Sequence, residues 1–299
     1  MAAASELAAA SRLSEDAPAK LNLFLHVVGR REDGYHLLES LVAFADIGDR
    51  LTAEPAADLG LRVEGPFADR LTEPDEDNLV LRAARLLRDR LGMKRGAALR
   101  LEKNLPVASG IGGGSADAAA ALRLLNRLWD GGLDGPALAE LGLSLGADVP
   151  VCVASRAALM RGVGEILDPA AVPAPFGLLL VNPLEPVSTP QVFMAYRRDH
   201  GFAAADAHDW VTERDPQRWL RRLGETGNGL EAPARGLAPA VGAILQAMAG
   251  MPGCLLARMS GSGATCFALF PDAAAAAAAG AEIASAHPDW WVAAGRLRG

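Results

Sequence analysis

The sequence predicts a globular protein of about two domains that contains both helices and strands. The chain has 299 residues, and a domain usually holds about 100–200. Hydrophobic residues make up 51% of the chain, but every long apolar stretch is interrupted by polar residues, unlike a membrane-spanning helix. Segments with the apolar pattern of strands are interspersed with segments of helical spacing. We place the domain boundary near residue 160, with domains over residues 1–160 and 161–299.

The first half contains four predicted strands and a predicted helix. The strands lie at 21–28, 37–44, 50–54 and 98–102. Apolar residues at helical spacing predict a helix over 78–91, with Asp77 or Asn78 as its N-cap. Residues 1–16 lack both a secretory apolar core and the Arg-rich character of a transit peptide, so we expect a frayed leader.

The second half predicts helices at 136–143, 241–248 and 273–286, and strands at 178–181 and 265–270. Gly146-Ala-Asp-Val-Pro150 predicts a tight turn. Pro169, Pro173 and Pro175 mark a change to loop-rich sequence beyond about residue 165, which is why the boundary is placed there.

The most informative segment is Pro106-Val-Ala-Ser-Gly-Ile-Gly-Gly-Gly-Ser-Ala-Asp117, followed by helix-forming residues up to Trp129. A glycine-rich turn that feeds a helix N-terminus presents free N–H groups and the positive end of the helix dipole. The segment lacks the Gly-Lys-Ser/Thr of a Walker loop and the third glycine of the dinucleotide fingerprint. It therefore predicts a phosphate loop of another kind, although a glycine cluster alone can also be a plain connection.

Three motifs together resemble the GHMP kinases. The loop is similar to that family's Pro-x-x-x-Gly-x-Gly-x-x-Ser. Ala17-Pro-Ala-Lys-Leu-Asn-Leu-Phe-Leu25 is similar to its N-terminal motif, and Met259-Ser-Gly-Ser-Gly-Ala-Thr-Cys-Phe267 to its C-terminal motif. The three occur in the expected order and span residues 17 to 267.

The resemblance implies an α+β kinase of two domains with its active site in the cleft between them, and ATP with Mg²⁺ as the phosphoryl donor. The implied ATP-binding loop consists of Pro106, Val107, Ala108, Ser109, Gly110, Ile111, Gly112, Gly113, Gly114, Ser115 and Ala116. Lys103 matches a further nucleotide contact, and Asn78 is a candidate near the adenine.

Two residues match the catalytic positions of the family. Asp148 matches the general base, and Lys20 matches the cation that would keep Asp148 ionised and ease deprotonation of a hydroxyl. Outside these motifs Asp148 would be interpreted as an N-cap, since Pro150 follows closely, and Lys20 as a surface charge.

Gly34-Tyr35-His36 resembles the members of the family that act on a cytidine diphosphate-linked polyol. The implied reaction is phosphorylation of the 2-hydroxyl of 4-diphosphocytidyl-2-C-methylerythritol, a step of non-mevalonate isoprenoid biosynthesis. Tyr35 would stack on the cytosine and His36 would hydrogen-bond its edge. Thr189 and Phe193 match the opposite wall of the pocket, and Asn22 matches a polyol contact. Without the resemblance, Tyr35-His36 would be a polar turn, Phe193 a core residue and Asn22 an amide satisfied within its strand.

Two other features of the motifs bear on the phosphates. Gly261 and Gly263 predict a turn near the transferred phosphate. Ala116 follows Ser115 where related enzymes often have a second hydroxyl residue, which leaves one side-chain contact to the phosphates in doubt. Asp117 would repel phosphate unless it points away or meets magnesium, and the sequence leaves both possibilities open.

The composition limits the partners and the compartment. A net charge of −7 argues against general binding to nucleic acid or membranes, so local cations must meet an anionic substrate. Three cysteines without paired spacing favour a reducing cytoplasm. The histidines lack metal-ligand spacing, so no metal ligands are assigned.

The alternative functions are a homoserine or mevalonate type of kinase from the same family, or a non-catalytic sensor on the same fold. The oligomeric state stays open.

Overall fold

The computed structural model describes residues 12–71, 77–173, 175–199, 201–206 and 208–298. Contacts between residues divide the chain into two units that interleave in sequence. The first unit takes Gly48–Val107 and Gly114–Ala154 together with the chain before Pro18, and the second takes Pro18–Ile47, Ala108–Gly113 and the chain from Ser155 onward. The boundary near residue 160 stays a prediction.

Strands and helices occur together in each unit, and the predicted α+β class is confirmed. Two strands contribute residues to both units, namely β1 (Leu13–Asn22) and β3 (His36–Ala56). Within the described ranges, no helix combines the length and the apolar character needed to cross a bilayer.

The first unit contains a small sheet and four α-helices in its described part. Its further elements are β4 (Leu59–Glu64), a short 3-10 helix (Ala68–Arg70), α1 (Leu79–Arg90), β5 (Gly96–Glu102), α2 (Gly113–Leu128, from Gly114 onward), α3 (Gly135–Leu143) and α4 (Val149–Ala154). β5 pairs antiparallel with the end of β3 and parallel with β4. Helix α2 is buried along most of its length, from Ala116 to Leu125, because its run of alanines permits close packing on every side.

The second unit is built on a larger antiparallel sheet. Its further elements are β2 (His26–Arg30), β6 (Ala158–Gly162), β7 (Ile166–Pro169), β8 (Gly177–Asn182), α5 (Thr189–Asp199), α6 (Pro216–Glu225), α7 (Glu231–Leu237), α8 (Ala240–Ala249), β9 (Leu256–Met259), β10 (Cys266–Phe270), α9 (Ala273–Ala286) and β11 (Trp291–Arg298). β9, β10, β8 and β11 lie side by side in that order, and β11 pairs with β3 at Leu297 and Ala45. β2 and β6 also pair with β3.

The core of the second unit lies between its sheet and helices α8 and α9. Leu179 of β8, Ile244 of α8 and Ile283 of α9 belong to one buried apolar cluster. Gly280 allows α9 to approach the sheet closely, since a Cβ there would come within 3.0 Å of the Leu179 side chain. This packing is the scaffold on which the turn after β9 rests.

Several sequence predictions of secondary structure are confirmed. α9 covers the predicted range 273–286, α8 extends the predicted 241–248 by one residue at each end, and α1 begins after the predicted cap. The Asn78 side-chain oxygen accepts a hydrogen bond from the Val80 amide at 2.9 Å, which satisfies one of the free N–H groups of the first turn.

Three predictions near the N-terminus are corrected. Residues 13–16 belong to strand β1, so the leader predicted over 1–16 does not extend that far; residues 1–11 lie outside the described part. The strand predicted over 21–28 is interrupted between β1 and β2, where Leu25 instead bonds to the backbone around Asn228. The two strands predicted over 37–44 and 50–54 form the single strand β3. Of the intervening polar residues, Asp46 is exposed, whereas Asp49 is buried and its Oδ1 accepts hydrogen bonds from the Asn104 and Leu105 amides. Neither residue breaks the strand.

Candidate active site

The glycine-rich loop has an alternating backbone between Pro106 and helix α2. Ala108, Gly110 and Gly112 have φ angles of 52°, 76° and 63°, in the left-handed region, while Ser109 and Ile111 do not. Residues of alternating handedness turn successive N–H groups towards one side, which forms an anion-binding concavity. Gly110 and Gly112 supply this conformation without the steric cost that a side chain carries.

The carbonyl groups of the same loop are occupied. Ile111 O accepts a hydrogen bond from the Lys20 amide at 2.9 Å, Ser109 O from the Thr265 amide at 3.1 Å, and Gly110 O from the Ser260 hydroxyl at 3.1 Å. Within the part of the chain that the structure describes, the amides of Gly110 and Gly112 donate to no protein acceptor. The loop is therefore fixed through the carbonyls of Ser109, Gly110 and Ile111, while the amides of Gly110 and Gly112 remain available to an anion.

The predicted turn at Gly261 and Gly263 is confirmed and fits against the loop. Both glycines have positive φ angles, 56° and 85°. A Cβ on Gly110 would lie 2.6 Å from Gly263 O, and a Cβ on Gly261 would lie 2.8 Å from Gly110 O. These contacts explain why both segments are rich in glycine, since their backbones approach too closely for side chains.

Lys20 and Asn22 form one polar cluster with Ser40. The Lys20 ammonium donates to Asn22 Oδ1 at 2.9 Å, and Asn22 Nδ2 donates to Ser40 Oγ at 2.7 Å. Lys20 is only 3% exposed, which is unusual for a lysine and excludes the interpretation as a surface charge. The amide of Asn22 donates to Ser260 Oγ, so the cluster is tied to the glycine turn.

The predicted cytidine pocket is brought together in part. The rings of His36 and Phe193 stack, with centroids 4.7 Å apart and an angle of 21° between the planes. The Thr189 hydroxyl lies 2.7 Å from the Ser262 hydroxyl in the glycine turn. Tyr35 is 67% exposed. Phe193 is thus more than a core residue, because it pairs with the histidine that the motif singled out.

The surroundings of His36 favour the uncharged form of its imidazole. Burial lowers the pKa of His36, and the cations of Arg30 and Arg197 lower it further. In the described part of the chain, the buried Nε2 of His36 has no hydrogen-bond partner. A neutral ring nitrogen without a protein partner can accept from, or donate to, the edge of a bound base.

In the first unit, Lys103 lies between two buried carboxylates. Its ammonium bonds to Asp117 Oδ2 at 2.7 Å and to Asp49 Oδ2, while Asp49 Oδ1 accepts from the amides of Asn104 and Leu105. Burial alone would lower the pKa of Lys103, but the two carboxylates outweigh burial and raise it. The predicted ATP contact of Lys103 stays a prediction, and its ammonium already has this structural function.

Asp117 faces this lysine. Burial raises the pKa of Asp117 to about 7; the Lys103 ammonium opposes this rise and the Asp49 charge adds to it. Asp117 Oδ1 is buried without a hydrogen-bond partner in the described part. The charge at the start of α2 is therefore met by an internal cation.

Asp148 immediately precedes helix α4 and is half-buried. Its backbone carbonyl accepts from the Cys152 amide at 3.2 Å, which places it at the N-cap position that the sequence left as an alternative. Asn78 caps α1 with its side-chain oxygen, and Ser115 and Ala116 lie in the first turn of α2. The roles of these residues in catalysis and ATP binding stay predictions.

Sequence reasoning missed several residues of the site. Ser260 and Thr265 lie inside the C-terminal motif, where their polar side chains were a usable signal. Ser40 and Asn228 lie outside the three motifs and have no local signal, because contacts distant in sequence bring them to Asn22 and the glycine turn. Asp49, in the first unit, likewise has no local signal for its bond to Lys103. In the described part of the chain, no group of three or more His, Cys, Asp or Glu side chains could hold a metal ion.

Two family comparisons cover a large part of the chain. Residues 78–156 match the GHMP kinases N terminal domain, and residues 207–289 match the GHMP kinases C terminal domain.

Curated relatives are similar over nearly the whole length. The 4-diphosphocytidyl-2-C-methyl-D-erythritol kinase of Paramagnetospirillum magneticum is 53% identical over 95% of this chain and 98% of that protein. The protein of the same name from Cereibacter sphaeroides is 55% identical over 95% of this chain and 98% of its own.

Solved structures are similar as well. A crystal structure of 4-(cytidine 5'-diphospho)-2C-methyl-D-erythritol kinase has a TM-score of 0.77 and 35% identity, covering 96% of this chain and 100% of that one. A homoserine kinase from Cytophaga hutchinsonii has a TM-score of 0.67 at 18% identity, covering 96% of each chain, which is a likeness of fold alone.

Proposed function

Because the chain belongs to the GHMP kinase family and is an ATP-dependent small-molecule kinase, we propose that it phosphorylates 4-diphosphocytidyl-2-C-methylerythritol. The acceptor in this proposal is the 2-hydroxyl, and the donor is ATP with Mg²⁺. The reaction would be a step of non-mevalonate isoprenoid precursor biosynthesis. The names and high identity of the curated relatives support the substrate.

The observation that carries the kinase chemistry is the loop with occupied carbonyls and available amides. Phosphoryl transfer depends chiefly on positioning and on stabilising charge on the phosphoryl oxygens. Preorganised amides at Gly110 and Gly112 would stabilise phosphate oxygens without rearrangement, because the bonded carbonyls of Ser109, Gly110 and Ile111 already hold the loop in place. Magnesium would enter with ATP and offset the phosphate charge.

We assign the two catalytic roles separately. Asp148 would accept the proton of the attacking hydroxyl, whose oxygen then bonds to the transferred phosphoryl group as ADP leaves. Lys20 would stabilise negative charge at the reacting centre. The burial of Lys20 and its bond to Asn22 support this role, because a buried cation without a functional partner is costly.

The stacked pair of His36 and Phe193 supports the cytidine part of the proposal. A base that stacks on an aromatic ring gains about 1–3 kcal/mol, and a neutral histidine adds hydrogen-bond recognition of its edge. Tyr35 would supply a further aromatic face, and its exposure leaves it accessible to a ligand. Thr189 would line the opposite wall of the pocket together with Phe193, and Asn22 would contact the polyol of the substrate.

The proposed compartment is the cytoplasm. No disulfide joins Cys254 or Cys266 to another cysteine, and burial raises the pKa of the Cys266 thiol far above its ordinary value. Small buried thiols of this kind suit a reducing environment.

The test is the release of ADP from MgATP with the cytidyl substrate, compared with homoserine and mevalonate at equal concentrations. Turnover confined to the cytidyl substrate would support the proposal. Turnover with another alcohol would retain the kinase activity and refute the cytidine pocket. Binding of nucleotide without ADP release from any of the three would favour a sensor.

A further inference from the structure

We propose that Asn228 is a positioning residue that holds the glycine turn, residues 259–265, against the phosphate loop. Asn228 lies outside the three sequence motifs. The inference deepens the proposed function, since it rests on the loop being the ATP-phosphate site. It concerns what holds the amides of Gly110 and Gly112 in position.

The backbone of Asn228 is fixed on both sides. The Leu25 amide donates to Gly227 O at 2.9 Å, and the Gly229 amide donates to Leu25 O at 2.8 Å. Leu25 and Asn228 thereby form an isolated parallel bridge. Asn228 Oδ1 also accepts from the Leu230 amide at 2.9 Å, which fixes the side-chain amide plane. The orientation of the side-chain NH₂ group is therefore set by its surroundings.

That NH₂ group donates two hydrogen bonds to the glycine turn. Asn228 Nδ2 lies 2.8 Å from Met259 O and 2.8 Å from Gly261 O. The two carbonyls flank Ser260, whose hydroxyl accepts from the Asn22 amide and donates to Gly110 O. One amide group thus holds the carbonyls of the residues before and after Ser260, which joins the turn to the loop.

The turn and the loop leave little room for adjustment. Gly110 and Gly261 approach so closely that a Cβ on Gly261 would lie 2.8 Å from Gly110 O. A rotation of the Gly261 peptide therefore changes the position of Gly110 or breaks the Ser260 bond. Glu231 gives the turn only a weaker additional link, since its Oε2 accepts from the Met259 amide at 3.3 Å. Loss of the two Asn228 bonds would leave both carbonyls free to reorient.

The chemistry of an amide at this position allows an isosteric test. Asn228→Asp keeps the shape and the acceptor for the Leu230 amide, removes both donors and places a carboxylate against two carbonyl oxygens. Asn126 offers a matched control in the first unit, because its Nδ2 donates to Leu133 O at 2.9 Å and its Oδ1 accepts from the Leu133 amide. Both asparagines are half-buried. Asn228→Ala serves as a second variant without the added charge.

The experiment measures dissociation constants for MgADP and for CDP in the full chain. We expect both Asn228 variants to bind MgADP about tenfold more weakly, as the loss of two hydrogen bonds predicts. CDP affinity should stay within about twofold, because the His36–Phe193 stack does not involve Asn228. Asn126→Asp should leave both dissociation constants unchanged. It should lower the melting temperature about as much as the Asn228 variants do.

Unchanged MgADP affinity in the Asn228 variants would overturn the inference, as would equal weakening of MgADP and CDP. Failure of both Asn228 variants to fold while Asn126→Asp folds would also overturn it in favour of a purely structural role. The proposed substrate is tested separately by wild-type turnover on the cytidyl alcohol. If the wild type is inactive there, the comparison of MgADP affinities still decides the role of Asn228.

Discussion

The ammonium of Lys103 lies 2.7 Å from a carboxylate oxygen of Asp117, and these residues flank the phosphate loop in sequence on opposite sides. Asp49 supplies a second carboxylate to the same ammonium. Two buried acids therefore share one cation where the chain enters and leaves the loop. Because the cluster contains two carboxylates and one ammonium, it gives two predictions about stability.

Asp117→Asn is expected to gain stability relative to the parent protein as the pH rises from 5 to 8. The folded-state pKa of Asp117 is about 7, above its ordinary value of 3.8. Its contribution is therefore fully present below pH 3.8 and is lost as the pH rises through about 7. Melting temperatures between pH 5 and pH 8.5 check this, with the exposed cap variant Asp134→Asn as control. A difference between Asp117→Asn and the parent that does not vary with pH would contradict the prediction.

Lys103→Met is expected to lower the free energy of unfolding by about 3–5 kcal/mol, because it leaves two buried carboxylates without their cation. Chemical denaturation at pH 7.5 measures the loss. Lys94→Met is the matched control, since Lys94 is exposed and its replacement should have little effect. The loss should shrink as the pH falls below about 7, where Asp117 becomes protonated. Equal stability of the two variants would show that the cluster is dispensable.

Gly110→Ala is expected to reduce kcat/KM for ATP by about 100-fold or more, because a 1 Å misplacement near the reacting groups can cost that much. The added Cβ would lie 2.6 Å from Gly263 O, so the turn or the loop must move. Gly132→Ala is the control, since Gly132 also has a positive φ of 65° but has no atom within 4 Å of its Cβ position. Steady-state kinetics on both variants separates steric displacement from the cost of the left-handed conformation. Equal kcat/KM values for Gly110→Ala and Gly132→Ala would refute the close fit of loop and turn.

Asp148→Asn is expected to lower kcat by about 10²–10⁴-fold, the usual contribution of a general base. Affinity for MgADP should change little, because the amide preserves size and hydrogen bonding. Single-turnover kinetics measures the loss of turnover, and calorimetric titration measures the affinity for MgADP. Comparable turnover by the variant would remove Asp148 from the mechanism and leave it as a helix cap.

Phe193→Ala is expected to raise KM for the cytidyl substrate by about tenfold with little change in kcat, since about 1–3 kcal/mol of stacking is lost. Tyr35→Ala should raise the same KM, and KM for ATP should not respond to either change. The lowered pKa of His36 predicts that cytidine affinity stays constant at neutral pH and weakens only at acidic pH. Titration of cytidine against wild type and His36→Asn measures this. An unchanged KM for Phe193→Ala would refute the pocket.

The elements predictable from sequence are those whose signals are local. Asn78 before an amphipathic run and the alanine run over 273–286 predicted helices that begin where expected. In the structure Asn78 and Asp272 cap these helices, because a capping side chain acts on amides two or three residues away. The glycines of the loop and the turn likewise predicted their own conformations. Helices α5, α6 and α7 were missed, although Thr189-Pro190 and Asp215-Pro216 are recognisable helix starts.

The part of the site that could not be predicted depends on contacts distant in sequence. The bond of Ser260 to the Asn22 amide joins residues 238 positions apart, and that of Lys103 to Asp49 joins residues 54 apart. No local pattern specifies such partners, because strand pairing in the folded chain decides them. The family resemblance implied a nucleotide contact for Lys103 and gave no indication of its two carboxylates.

The scarcity of lysine has a practical consequence for chemical labelling. Of the three lysines in the chain, Lys20 and Lys103 are 3% and 2% exposed, whereas Lys94 is exposed. Amine-directed reagents such as fluorescent esters will therefore attach to the folded protein at Lys94 among its lysine side chains, while both buried ammonium groups react only after unfolding. Acylation of Lys20 or Lys103 thus reports global opening of the chain, and mass spectrometry of the labelled peptides can follow it without any engineered probe.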